Sequence, residues 1–149
     1  MAKKHSMPEF LEGKVEPAAY ERWLHRKAAA HMKRDRKRGR ACTGAIYREA
    51  IHAAVVLSAG KDAYTGEALH WHLISTYKNE DSKEGRHAYK ATFALLPTVD
   101  HVTAEATEAS FRVCAWRTND AKSDLSMESF LELCQRALTH AGYRVEKPG

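Results

Sequence analysis

Two adjacent side chains, Asp100 and His101, combine a hard oxygen ligand with a base that titrates near neutral pH. Hydrolysis of a phosphodiester uses both functions. A metal ion neutralises the charge developing on the phosphoryl oxygens, and a base takes the proton of the attacking water. Beyond the next apolar run, Asn119 offers a side-chain carbonyl oxygen, and Lys122 follows it by one helical turn. Residues at that spacing face the same way, which directs the lysine toward a phosphate. An Asp-His dipeptide alone means little in a chain with nine histidines. Its weight comes from the Asn119-Asp120-Ala121-Lys122-Ser123-Asp124 stretch that follows a strand-like run. The bland alternative is an Asp100 that caps a turn beside an exposed His101.

The elements that must hold these residues follow from hydrophobic spacing. After Pro17, apolar residues recur at Tyr20, Leu24, Ala28 and His31/Met32, predicting a helix that ends near Gly39. A second helix is expected from Thr43 to Ala59, capped by Thr43 and closed by Gly60, with Ile46, Ala50, Ala53, Ala54 and Leu57 buried. Residues 1–16 lack periodicity and read as a mobile or surface arm. Tyr64-Thr65-Gly66-Glu67 reads as a turn leading into a strand from Ala68 to Tyr77 and a polar loop. Ala91 to Leu96 is strand-like, Pro97 interrupts it, and Val99 to Val102 resumes it. Phe111 to Trp116 is a further strand, and Asn119 to Asp124 forms one or two helical turns. A last helix starts at the N-cap Ser126, buries Met127, Phe130, Leu131, Cys134 and Leu138, and stops at Gly142. The fold class is α+β in one domain over 17–149. It comprises a basic helical part (17–60), a sheet-bearing part (about 61–124) and a C-terminal helix (126–141).

One geometric condition attaches to this reading. Neighbours on a regular strand point to opposite faces, so Asp100 and His101 reach one centre only where the strand is irregular. Pro97 is the reason to expect that irregularity. A regular strand with the two on opposite faces would remove the single-centre assignment.

In this order of elements the sequence resembles the HNH endonucleases, the ββα-metal nucleases, over roughly Tyr64 to Lys122. The specific parts are Leu96-Pro97-Thr98-Val99-Asp100-His101-Val102 and Trp116-Arg117-Thr118-Asn119-Asp120-Ala121-Lys122. The resemblance implies Asp100 as a metal ligand, His101 as general base, Asn119 as second ligand, and a helical half packed on a small antiparallel sheet. Two oxygen ligands of which one is charged suit Mg²⁺ or Mn²⁺ better than zinc. The family's middle position, which orients the general base, has no clear occupant. Ser110 is the nearest polar residue, and a backbone carbonyl could serve. Structural zinc is not expected, because Cys42, Cys114 and Cys134 lie far apart. His70 and His72, two apart on one strand face, are a lesser metal pair.

Charge points to the same class of partner. The formal net charge is +5, yet residues 21–40 alone carry nine Lys or Arg against Glu21 and Asp35, leaving the remainder slightly acidic. Lys33, Arg34, Lys37, Arg38 and Arg40 would contact a DNA backbone with little dependence on sequence. Trp23 and Trp71 could stack on bases, although burial is the commoner use of both. No apolar run spans a bilayer and no secretory leader is evident, so a cytoplasmic location is expected. The expected function is a divalent-metal-dependent DNA endonuclease. A monomer would nick, and a homodimer could cut both strands. The alternatives are a non-catalytic DNA-binding module built on the basic helix, and a nuclease that cuts RNA with the same site.

Overall fold

The computed structural model describes residues 5–37, 43–75, 92–101 and 110–148. Helix α1 spans Pro17–Lys37 and α2 spans Gly44–Ser58. Strand β1 (Pro97–His101) pairs antiparallel with β2 (Phe111–Ala115), followed directly by α3 (Trp116–Lys122) and then by α4 (Met127–His140). The class is α+β, with the N-terminal helices laid against one face of the two-stranded sheet. Among the described residues, no helix is long and apolar enough to cross a membrane.

Helix α1 buries Tyr20, Trp23, Leu24, Ala28 and His31 at helical spacing, as its periodicity requires, and the same stripe continues to Asp35. Arg38 and Arg40 lie outside the described residues. Helix α2 begins where expected, with the Thr43 hydroxyl accepting from the Ile46 N–H at 3.3 Å. Its buried face differs from the expectation. Tyr47, Ile51, Ala54 and Val55 pack inward, while Ile46 and Leu57 are half exposed or more. The larger side chains Tyr47, Ile51 and Val55 form a continuous inward row, and a rotation that buried Ile46 and Leu57 would expose them. The helix ends on Ala59 and Gly60, both with positive φ. A Cβ at Gly60 would lie 3.2 Å from the Phe10 ring, so glycine serves both backbone and packing there.

Four further expectations are corrected. Residues 9–15 are no arm, because Leu11 is fully buried and Val15 nearly so, after a short 3-10 turn at Glu9–Leu11. Trp71–Ser75 is a 3-10 turn rather than a strand, pinned by Trp71 Nε1 donating to the Gly60 carbonyl at 3.1 Å. Residues 93–95 form a turn, so Pro97 opens β1 instead of interrupting a longer strand. That position suits proline, which lacks a backbone donor. Helix α4 starts at the Ser126 cap yet buries none of its residues. Met127, Leu131 and Leu138 stay exposed, Cys134 is half-buried, and Phe130 meets the Tyr64 ring edge-on at 6.4 Å. Trp23 and Trp71 meet edge to face in the core, ring centroids 5.3 Å apart, and neither is available to stack on bases.

Candidate functional site

The register of the sheet decides the site. Pro97 pairs with Ala115, Val99 with Val113 and His101 with Phe111, in an unbroken ladder without a bulge. The expected irregularity at Asp100 and His101 is therefore not there, and side chains alternate as on any strand. Asp100 shares its face with Tyr64 and Lys122, whereas His101 faces α1 and α2. The single centre that needs both side chains is not assembled.

On the first face the Tyr64 hydroxyl donates to Asp100 Oδ2 at 2.6 Å, and the Lys122 ammonium reaches the same oxygen at 2.9 Å. Asp100 and Lys122 are 8% and 2% exposed, so this is a buried ion pair. Lys122, read from sequence as a phosphate contact, is instead committed to Asp100 and to the Leu125 carbonyl. Asn119 lies one turn earlier on α3, which places it on Asp100's side of the sheet. The turn over Tyr64 to Glu67 forms as expected, and Asp62 organises it. Asp62 Oδ1 accepts from the Tyr64 N–H at 2.7 Å, while Oδ2 accepts from the Ala115 N–H and the Thr118 hydroxyl. One buried carboxylate thus fastens the turn to the start of α3. Burial and the Asp100 hydrogen bond push the Tyr64 phenol up, and burial likewise pushes the Cys114 thiol up. Both stay protonated at neutral pH.

A divalent ion fits this face poorly. Of the two expected ligands, the Asp100 carboxylate is already balanced by a buried cation and Asn119 is a neutral amide, while the nearby Asp62 carboxylate is taken up by the Tyr64 and Ala115 N–H groups and the Thr118 hydroxyl. Among the described residues, no three His, Cys, Asp or Glu side chains converge in a metal-ligating group. His70 and His72 have ring centroids 5.6 Å apart but are both exposed.

The second face holds what the sequence reading lacked. Asp35, on α1, places Oδ1 3.3 Å from His101 Nε2, and its Oδ2 accepts from the Tyr47 hydroxyl of α2. Asp35 is 4% exposed, while the His101 side chain retains 19%. The His31 ring stands edge-on to His101 at 4.7 Å, and Phe111 closes the other side at 4.8 Å. His31 Nε2 lies 3.0 Å from the Val99 carbonyl, an acceptor only, so that nitrogen carries the proton. Burial, then the neighbouring His101 and Arg34, lower the His31 pKa to about 3 and keep the ring neutral. Above this cluster α1 exposes Lys33, Arg34, Arg36 and Lys37. Lys27 on the same helix points inward to Thr98 Oγ1 at 3.2 Å, its pKa lowered to about 8 chiefly by burial.

The sequence signal for this cluster was Asp35 itself. It lies four residues after His31 on the apolar stripe of α1, inside a run of basic residues. A carboxylate at a core position must be partnered. Comparison with family models, with curated proteins and with solved structures returns no significant match.

Proposed function

We propose that the chain binds DNA through the exposed cationic face of α1 and hydrolyses its phosphodiester backbone, with His101 as general base. The observation that carries this reading is the Asp35 carboxylate beside His101 Nε2. A carboxylate there favours the tautomer protonated on Nε2, sets the basic lone pair on Nδ1, and stabilises the imidazolium formed when water is deprotonated. Asp35 thus fills the orienting role for which the sequence offered Ser110 or a backbone carbonyl. Arg34 lies within electrostatic reach of the paired imidazoles, and with Lys33 and Lys37 it supplies positive charge for the phosphate. The expected Mg²⁺ or Mn²⁺ ion at Asp100 and Asn119 is not carried into this mechanism, because Lys122 already balances Asp100.

A second reading, cleavage of RNA, is favoured by that same ion pair. Without a metal to activate water, a lone base is better matched to a ribose 2′-hydroxyl, an internal nucleophile already positioned at its phosphate.

Supercoiled plasmid and a matched RNA, each with Mg²⁺, Mn²⁺ or chelator, test these readings against His101→Ala. Loss of cleavage with DNA binding retained supports the enzyme. Equal cleavage by the variant ends the role of His101. Binding without cleavage by the wild-type chain under every condition leaves a non-catalytic DNA-binding module. Activity that disappears with chelator and returns with Mg²⁺ or Mn²⁺ makes the reaction metal-dependent, and its loss in Asp100→Asn and Asn119→Ala would assign those two as ligands.

A further inference from the structure

A cleft of about 260 Å³ opens between α1 and the 3-10 turn Trp71–Ser75, lined by Ala19, Arg22, Arg26, Ile74 and Ser75. Its chemistry is one-sided. Two guanidinium groups and a serine hydroxyl supply the polar lining, and none of the five residues is a carboxylate. Sites for organic ligands usually hold about 300–1,000 Å³ and are mostly apolar, so this smaller, cationic cleft is not of that kind. It suits a compact oxyanion that accepts several N–H donors at once, as a phosphate group does.

The two arginines play different parts. Arg26 Nη2 donates to the Ile74 carbonyl at 3.2 Å. That bond uses one of the five guanidinium N–H donors and aims the others before a ligand arrives, which lowers the ordering cost of binding. Arg22, one turn earlier, is exposed, and among the described residues no hydrogen bond or ion pair engages it. The cleft is also continuous with the cationic side of α1. A helix turns about 100° per residue, so Arg22, Arg26, Lys33 and Lys37 fall within about 60° of arc. The arginine pair lies roughly 16 Å along the helix axis from Asp35, which holds His101. A DNA strand covers that distance in a few nucleotides, since each advances it by about 3.4 Å along the duplex.

We infer that the cleft between α1 and the 3-10 turn is a phosphate subsite for the DNA backbone, gripping a strand a few nucleotides from the bond that faces His101. Arg26, aimed by Ile74, forks two oxygens of one phosphate. Arg22 adds charge from the solvent side, and the Ser75 hydroxyl donates a further hydrogen bond. The inference rests on the DNA-binding half of the proposed function and not on its chemistry.

Fluorescence anisotropy of a labelled duplex at several salt concentrations tests it. Arg22→Gln with Arg26→Gln should lower the slope of log K against log salt by about two, one for each lost phosphate contact. Arg26→Lys keeps the charge and loses the fork. It should leave the slope unchanged yet weaken binding about tenfold, the worth of one charge-assisted hydrogen bond. Ser75→Asp, which leaves Arg26 and Ile74 in place, should weaken binding at least as much by setting a carboxylate in the cleft. Full affinity in Arg26→Lys and Ser75→Asp would make the arginines part of a diffuse charged surface and overturns the subsite. Inorganic phosphate and a mononucleotide, titrated by calorimetry, provide the other arm. Tight binding of either that is lost in the double Gln variant, with duplex affinity unaltered, would make the cleft a small-anion pocket and overturns the assignment to DNA. Failure of the wild type to bind any duplex ends this inference and the DNA reading together, whereas binding that ignores the double Gln change ends this inference alone. The same losses of affinity in a His101→Ala background support the subsite whatever becomes of the catalytic reading.

Discussion

Asp35 and His101 come from the first helix and the first strand, and their side chains meet at 3.3 Å. Asp100, the covalent neighbour of His101, looks the other way. For cleavage, Asp35→Asn should reduce the rate by about 10²–10⁴-fold, the usual contribution of a positioned acid–base group. Affinity for DNA should stay within a few fold, because Asp35 is buried away from the cationic surface. Single-turnover cleavage alongside a binding titration checks this. Asp35→Asn with full activity would assign the carboxylate a purely structural role.

Breaking the Asp100–Lys122 pair should cost stability. Lys122→Met leaves Asp100 charged, buried and without its cation, which costs about 3–5 kcal/mol for a pair of this kind. Replacing both partners, Asp100→Leu with Lys122→Met, should recover most of that loss. Urea unfolding of the two single variants and the double variant measures it, and simple addition of the single losses would exclude a coupled pair.

Lys33, Arg34 and Lys37 are exposed on α1 and not engaged in the core. Each change to Gln should weaken DNA binding similarly on every sequence and lower the slope of log K against log salt by about one. Fluorescence anisotropy at several salt concentrations checks this. A variant that changes sequence preference, with the salt slope intact, would point to base reading instead.

His31 makes stability fall in acid. The unfolded chain binds a proton on His31 near pH 6.5, but the folded chain, whose ring is buried, does not until about pH 3. The unfolded state therefore holds more protons throughout that window. Stability is full above pH 6.5 and declines toward pH 3, by at most about 1.4 kcal/mol per pH unit from this group. His31→Gln, whose amide can still donate to the Val99 carbonyl, should flatten this limb of the stability profile. Thermal unfolding from pH 7 to pH 4 measures the difference.

Elements whose cause is local were legible in the sequence. The Thr43 and Ser126 caps, the turn at Tyr64 to Glu67, the seam of α1 and the strand over Phe111 to Ala115 all follow from side chains within a few residues of one another. Where neighbouring segments compete, local pattern failed. Ile46 and Leu57 are as apolar as Ile51 and Val55, so spacing alone did not decide which row of α2 turns inward. The run from Ala68 alternates like a strand, but Trp71 reaches the Gly60 carbonyl only when the chain curls there.

For the site, the sequence by itself determined the inventory: an acid and an imidazole in tandem, an amide and a lysine one turn apart, and cations gathered on one helix. It also spaced Asp35 four residues after His31, but the burial that obliges this carboxylate to find a partner is seen only in the structure. Only the tertiary structure decided who meets whom. A two-residue period sends Asp100 and His101 to opposite faces, and each face then takes its partner from a distant part of the chain. Lys122 closes on Asp100 from the helix after the sheet, and Asp35 closes on His101 from the first helix. Those distances are set by how helices stack on a sheet, a global packing outcome that no local window of sequence contains.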